Sequence, residues 1–369
     1  MPTEKQYKYN TVINYLMKYI QENDLSDGDR LPTEQQLSDE LHVSRVSIQQ
    51  GIKRLEKDGF VYRIQGSGTY VRQTVGRKEA SVMIPLVMNS NFNVVHGFDI
   101  IRGAQEYLFS HSCHLSPHCI NKTDNQAAAY AYEEIINGLI DQGNRCIMVL
   151  PPIVRSKEFF RRHMRDGVRF VFLDTPLDDF WGCHTVCSNH LQGGYLVTKH
   201  LLEQGHRHIA VVSPERLNQA INPNFLHRIE GYRRALEEFD VPFRQEYVFE
   251  EYQPLNTMRV KVEQMLSMNP RPTAIFCLND AVADGAIAHL GEVGMEVPQD
   301  ISVAGFDNHE IPRPVTTVQQ DFYGVGRYGA ELALRLLNDP DYPITQQTLP
   351  VTLIKRATTA KAIDWKKQP

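Results

Sequence analysis

At 369 residues, with 42% hydrophobic and 22% charged side chains, the chain is long enough for two or more domains with sizeable cores. A formal net charge of only −5 excludes a uniformly basic nucleic-acid binder, so any phosphate contact must come from a local patch. The opening MPTEKQYKYN is polar, no apolar run approaches the ~20 residues that span a bilayer, and the six cysteines are scattered, so the expectation is a cytoplasmic protein with free thiols and no membrane partner.

Residues 7–21 place Tyr7, Val12, Ile13, Leu16 and Ile20 on one helical face, and Gly28-Asp29-Arg30 turns the chain. Thr33 with Gln36 three residues later forms a capping box, so a second helix starts there, with Leu37 and Leu41 on one side. His42-Val43 breaks the pattern, and Ser44 caps a third helix from Arg45. Its apolar stripe is Ile48, Ile52 and Leu55, which leaves Arg45, Ser47, Gln49, Gln50, Lys53 and Arg54 on the remainder. Asp58-Gly59 ends it. Phe60, Tyr62 and Ile64 then alternate with Val61, Arg63 and Gln65 as in a strand, Gly66-Ser67-Gly68 makes a hairpin tip, and Thr69-Tyr70-Val71 returns. This is the pattern of a winged helix-turn-helix. Residues 1–41 carry four Lys/Arg against eight Asp/Glu, a net of −4, whereas residues 42–72 carry six against two, a net of +4. The positive stretch coincides with the third helix and the wing, where phosphates would be met.

The polar, aperiodic Gln73–Ala80 gives way abruptly to the apolar Ser81–Met88. The expected division is a DNA-binding domain over 1–74, a linker over 75–80 and a second domain over 81–369. In the latter, strands are expected at Ser81–Met88, Cys146–Leu150, Phe170–Leu173, Thr185–Ser188, Ile209–Val212, Ala274–Leu278 and Ser302–Ala304. Helices are expected at Val95–His111, Gln126–Gln142, Arg155–Arg165, Leu191–Glu203, Arg228–Phe239, Thr257–Met268 and Ala281–Val293. Strands alternating with helices of this length imply an α/β fold with parallel sheets covered on both faces, and so many units imply two sheets.

The N-terminal fifth resembles the GntR-type winged helix-turn-helix on Leu31-Pro32-Thr33-Glu34, Val43-Ser44-Arg45, Leu55, Asp58-Gly59 and Gly66-Ser67-Gly68-Thr69. The resemblance implies that a homodimer binds a pseudo-palindromic double-stranded operator, with Arg45 on a base edge in the major groove and Gln65 and Gly66 in the minor groove. Arg30, Thr33, Glu34, Ser44, Ser47, Gln49, Lys53 and Ser67 complete the candidate interface. Many members carry arginine where this chain has Gln35 and Gln49, and glutamine pairs with adenine more naturally than with guanine.

A second resemblance covers nearly all of 81–358. It rests on Asp174, Ser188-Asn189-His190 with Gly193-Gly194, His200-Leu201 with Gly205 to Ile209, Arg228 with Gly231-Tyr232, Pro272 to Phe276 with Asn279-Asp280, Ile301 to Asn308 and Thr316 to Asp321. These segments are similar to the effector domain of LacI-type repressors, which implies a two-lobed periplasmic-binding-protein-like fold with a ligand cleft between lobes joined by crossover strands. A GntR-type reader on such a sensor is the arrangement of AraR-like repressors.

A sugar presents hydroxyls that both donate and accept, plus an apolar face, and its site needs carboxylates, guanidinium, amides and an aromatic platform. By this resemblance Arg228, Asn279 and Asp307 hold hydroxyls, Asp174 and Gln320 assist, and Phe92 and Tyr252 touch the ring. Asp174, Asn279 and Asp307 each follow an expected strand, where open α/β sheets place ligands. L-arabinose is the first expectation as releasing effector, with fucose or another pentose or deoxyhexose open. An enzyme using Asp174 and Asp307 as acid and base is the reading from another class; a transport receptor fits poorly with a reading head. No cofactor, metal or catalytic residue is expected. Gly324-Val325-Gly326-Arg327-Tyr328-Gly329 satisfies G-x-G-x-x-G but does not follow the first strand of a βαβ unit. Cys183-His184 with Cys187, and His206 with His208, lack a fourth ligand at finger-like spacing.

Overall fold

A computed structural model describes residues 11–13, 15–20, 23, 25, 28–57, 60–64, 66–71, 82–89, 94–122, 125–151, 157–175, 183–214, 223–250, 256–309 and 311–363. The chain divides into two compact units, Met1–Val82 and Met83–Pro369.

In the first unit, helical residues 11–13 and 15–20 form α1, followed by α2 (Glu34–Leu41), α3 (Arg45–Lys57) and an antiparallel hairpin of β1 (Val61–Ile64) and β2 (Gly68–Val71). Val12, Leu16 and Ile20 of α1 meet Leu37, Ile48, Ile52 and Leu55 across the core, with Val61 and Val71 closing it from the hairpin. The expected capping box is present: Gln36 N–H donates to Thr33 Oγ1 at 3.3 Å and Thr33 N–H to Gln36 Oε1 at 2.8 Å. His42 ends α2 in the left-handed region, φ 52°, which lets the chain turn directly into α3. The hairpin buries Val61, Thr69 and Val71, whereas Tyr62 and Tyr70 stack at 5.6 Å between centroids. Asp58, Gly59 and Gln65 lie outside the described residues.

The second unit holds two parallel sheets. One runs β13-β7-β6-β5-β3-β4, from β3 (Met83–Asn89), β4 (His114–Ile120), β5 (Cys146–Leu150), β6 (Arg169–Leu173), β7 (His184–Ser188) and β13 (Gln346–Leu349). It is covered by α4 (Val94–Ser110), α5 (Asn125–Asp141), α6 (Lys157–Arg165) and α11 (Phe322–Asn338). The other runs β11-β10-β8-β9, from β8 (Ile209–Ser213), β9 (Val248–Glu250), β10 (Ala274–Cys277) and β11 (Ser302–Ala304). Its helices are α7 (His190–Glu203), α8 (Asn224–Glu238), α9 (Asn256–Ser267) and α10 (Asp280–Glu292). The chain passes between lobes after β7, after β12 (Thr317–Gln319) and before β14 (Thr352–Ile354), the last two pairing antiparallel. Two lobes strung on such connections give a cleft at the carboxyl ends of their strands.

Two departures from expectation bear on the site. Helix α8 begins at Asn224, one turn before the expected Arg228, so Arg228 sits inside the helix and Asn224 takes its first position. Strand β4 carries Pro117 and polar residues, which a sheet tolerates at an edge, and β4 is the edge strand. Helices α7 and α8 cross in backbone contact: a Cβ on Gly194 would lie 2.0 Å from Arg228 O, and one on Gly231 2.1 Å from Leu191 O. The paired glycines therefore fix how far Arg228 stands from the start of α7. The G-x-G-x-x-G run is likewise helix packing, since Gly326 abuts Ile100 O of α4 at 1.9 Å from its would-be Cβ, and Asp321 caps Gly324 N–H at 2.7 Å.

Candidate functional site

On the first unit, Arg45, Gln49 and Lys53 are exposed along α3. Arg45 Nη2 donates to Gln35 Oε1 at 2.6 Å, while Glu34 receives Gln49 Nε2 at 2.9 Å on one oxygen and Arg63 Nη2 at 2.8 Å on the other. The start of α2 thus holds the polar face of α3 and the wing in register. Arg30 Nη2 donates to Ser67 O at 2.5 Å and ties the preceding turn to the hairpin tip, where Gly66 and Ser67 are exposed. Ser47 corrects the expectation. It is 6% exposed, its N–H is capped by Ser44 Oγ at 3.3 Å, and the two hydroxyls lie 3.0 Å apart, so it secures the start of α3. Val46 instead stands out to solvent, 60% exposed.

In the second unit four of the expected effector residues lie together, Asp174, Asp307 and Gln320 after strands and Arg228 on α8. Arg228 and Asp307, each 4% exposed, pair at 3.0 Å between Nη2 and Oδ1. Arg228 Nη1 donates to Leu278 O and Nε to His190 Nδ1 at 3.3 Å, while the guanidinium lies 3.7 Å over the Phe306 ring. Gln320 Nε2 donates to the same Asp307 oxygen at 2.7 Å. From the first lobe, Asp174 approaches His190, with Oδ1 3.7 Å from Nε2, and its carbonyl receives Asn224 Nδ2 at 2.8 Å. Asp174, Asp307 and Asn308 all have positive φ, 48°, 113° and 56°. Backbone of this kind persists only where surrounding structure over-determines it, and it clusters at functional sites.

Four of the five described candidates, Asp174, Arg228, Asp307 and Gln320, therefore share one cluster. Asn279 adjoins it through Leu278, and its side-chain oxygen caps α10 by accepting from Val282 N–H at 2.8 Å, which leaves its NH2 and one oxygen lone pair for a ligand. Phe92 and Tyr252 lie outside the described residues. His190 and Asn224 were not expected. His190 follows the Asn189 cap directly and could have been found by asking which side chain a capped strand-end helix aims at the cleft.

Electrostatics separates the buried groups. Burial, aided by the Arg228 charge and opposed by Asp174, brings His190 down to about 4, so its imidazole is neutral. Asp280, beneath the cluster, accepts Thr317 Oγ1 and His309 N–H, both at 2.7 Å. Burial, with Asp307 adding to it, pushes its carboxyl up to about 7 against those hydrogen bonds. A folded pKa above the unfolded value means that protonation stabilises the fold at low pH and that this stability is lost as pH rises through about 7. The expected result is that, from pH 5 to 8, the parent loses about 2 kcal/mol relative to Asp280→Asn, measured by urea unfolding at both pH values. A constant difference would contradict this assignment. Comparison of the two proteins cancels the titration of the other groups.

Residues 8–71 match the gntR family of bacterial regulatory proteins, and residues 198–359 match a periplasmic binding protein-like domain. An arabinose metabolism transcriptional repressor from Geobacillus stearothermophilus is 26% identical, over 89% of this chain and 91% of that protein. The HTH-type transcriptional repressor PurR of Vibrio atlanticus is 35% identical over 47% of this chain, and the match spans about half, 52%, of that repressor's length. Among solved structures, a LacI family transcriptional regulator from Enterococcus faecium with bound ribose superposes with a TM-score of 0.61 at 24% identity, over 76% of this chain and all of that one. No helix among the described residues is long and apolar enough to cross a membrane. The chain thus joins a winged helix-turn-helix that matches the gntR family of bacterial regulatory proteins to a domain that matches the periplasmic-binding-protein-like family.

Proposed function

We propose that the protein is a sequence-specific repressor of sugar-utilisation genes which a monosaccharide, L-arabinose first, releases from a pseudo-palindromic operator. The observation that carries this reading is the buried cluster of Arg228, Asp307, Gln320, Asp174 and His190 at the strand ends of both lobes, in one chain with a DNA-reading head. Carboxylates, an amide and a guanidinium fixed in this way suit a ring of hydroxyls. Each half-site needs its own reading head, so the protein acts as a homodimer. An exposed apolar face on α4, with Phe98 67% and Phe109 72% exposed, supports the second unit as the dimerising part.

The enzyme reading is disfavoured because Asp307 is committed to Arg228 and Gln320, an arrangement for holding hydroxyls rather than shuttling protons. Thermal unfolding across a monosaccharide panel tests the sugar reading. A ligand at 100 times its Kd stabilises by about 2.7 kcal/mol, so one sugar is expected to raise Tm by several degrees. A panel that leaves Tm unchanged, or a sugar that is turned over, would overturn the reading.

A further inference from the structure

We propose that His190 and Asp174 clamp one hydroxyl of an uncharged sugar and thereby decide which hydroxyl the effector site demands. The inference rests on the effector-site reading above and deepens it. Arginine has no acceptor, so the hydrogen bond from Arg228 Nε must enter a bare lone pair on His190 Nδ1. The ring proton is therefore on Nε2. That donor faces Asp174 Oδ1 at 3.7 Å, beyond hydrogen-bonding length.

Among the described residues neither atom has a hydrogen-bond partner, although the residues are only 1% and 5% exposed. A buried donor and a buried acceptor left unsatisfied each cost stability, and closing the gap by about 1 Å would satisfy both. The fold prevents that closure by anchoring both residues elsewhere. Asp174 is held by its backbone on each side, N–H to Val186 O at 2.9 Å and carbonyl to Asn224 at 2.8 Å. His190 is pinned by Arg228 and by Phe306, whose ring lies 5.9 Å away. A sugar hydroxyl, like the water it would displace, accepts from Nε2–H and donates to a carboxylate at once. Nearby, Gln320 Oε1 is a second unsatisfied acceptor on a residue 3% exposed, its NH2 already fixed to Asp307.

Charge narrows the ligand class. One guanidinium faces the two carboxylates Asp174 and Asp307, and the imidazole between them is neutral. These four groups therefore carry a formal surplus of one negative charge, to which Asp280 beneath them adds as it ionises, and this opposes a sugar phosphate or sugar acid and favours a neutral polyol.

The test is calorimetric titration of the full chain with L-arabinose, D-ribose, D-xylose and L-fucose, followed by each mono-deoxy analogue of the tightest binder and its phosphate ester. One deoxy analogue is expected to bind the parent roughly 10–100-fold more weakly than the sugar, the range for a hydrogen bond to a charged group. Asp174→Asn replaces the carboxylate by a neutral amide whose oxygen is a weaker acceptor, so it should weaken the sugar about tenfold or more and sharply reduce its preference over that one analogue. His190→Gln, which keeps an N–H donor at shifted reach, should lose the same selectivity, and circular dichroism confirms that each variant is folded. If the sugar binds but both variants retain the parent's pattern against every deoxy analogue, the clamp is wrong while the sugar reading stands. If the phosphate ester binds more tightly, the charge argument and the clamp both fall. If no sugar in the panel binds, the effector-site reading falls with them.

Discussion

Asp307→Ala is expected to cost the second unit about 3–5 kcal/mol and to abolish release from DNA by sugar. The stability loss follows from burial: Arg228 and Asp307 are each 4% exposed, and removing one partner of a buried ion pair leaves the other charge uncompensated. Gln320 also loses the oxygen that receives its NH2. The loss of response follows because two other site residues, Arg228 and Gln320, are held by that carboxylate. Urea unfolding measures the first effect and operator titration with sugar the second. Asp307→Asn separates them, since it retains an oxygen for Arg228 and Gln320 and should recover much of the stability without the full response. An Asp307→Ala protein as stable as the parent would show that the pair is not integral to the fold, and one still released by sugar would remove Asp307 from the site.

Arg45→Ala is expected to weaken operator binding by about 1–3 kcal/mol and to relax base preference at one position in each half-site. Arg45 is exposed at the first turn of α3, and its guanidinium is held by Gln35 at 2.6 Å, so the side chain is already extended along the reading face. Replacing exposed Lys53 should instead weaken binding to all sequences alike and reduce the salt dependence. Competition among single-base operator variants checks both. An Arg45→Ala protein with unchanged affinity and selectivity would exclude it from base readout.

Much of the fold was legible because local signals and periodicity agree. Thr33 with Gln36 marked the start of α2, and strands such as Cys146–Leu150 and Ser302–Ala304 appear with the expected bounds. What was not legible depends on tertiary context. The edge strand β4 is absent from the expected strands because Pro117 and its histidines carry no strand signature, and the short β12 and β14 are defined by their pairing with each other and by the Gln319–Asp307 bridge. Ser47 looks like a surface polar residue on α3 until its hydroxyl is seen against Ser44. Asp174 and Asp307 were legible because each follows an expected strand, whereas Arg228 and Gln320 were expected only through the resemblance to LacI-type effector domains. For His190 the only local signal is its place after the Asn189 cap; its role comes from the α7–α8 crossing at Gly194 and Gly231, which places Arg228 against its ring.

The most direct measurement is operator affinity of the full chain with and without saturating L-arabinose, using a duplex selected by the protein from a random pool. A ligand shifts an equilibrium only by its differential affinity for two states, so a lobe arrangement preferred by sugar must be the one that binds DNA poorly. The expected result is a fall in affinity of about 5–150-fold, the range of a 1–3 kcal/mol coupling. Unchanged or tighter operator binding by a protein demonstrably loaded with sugar would contradict the proposed release.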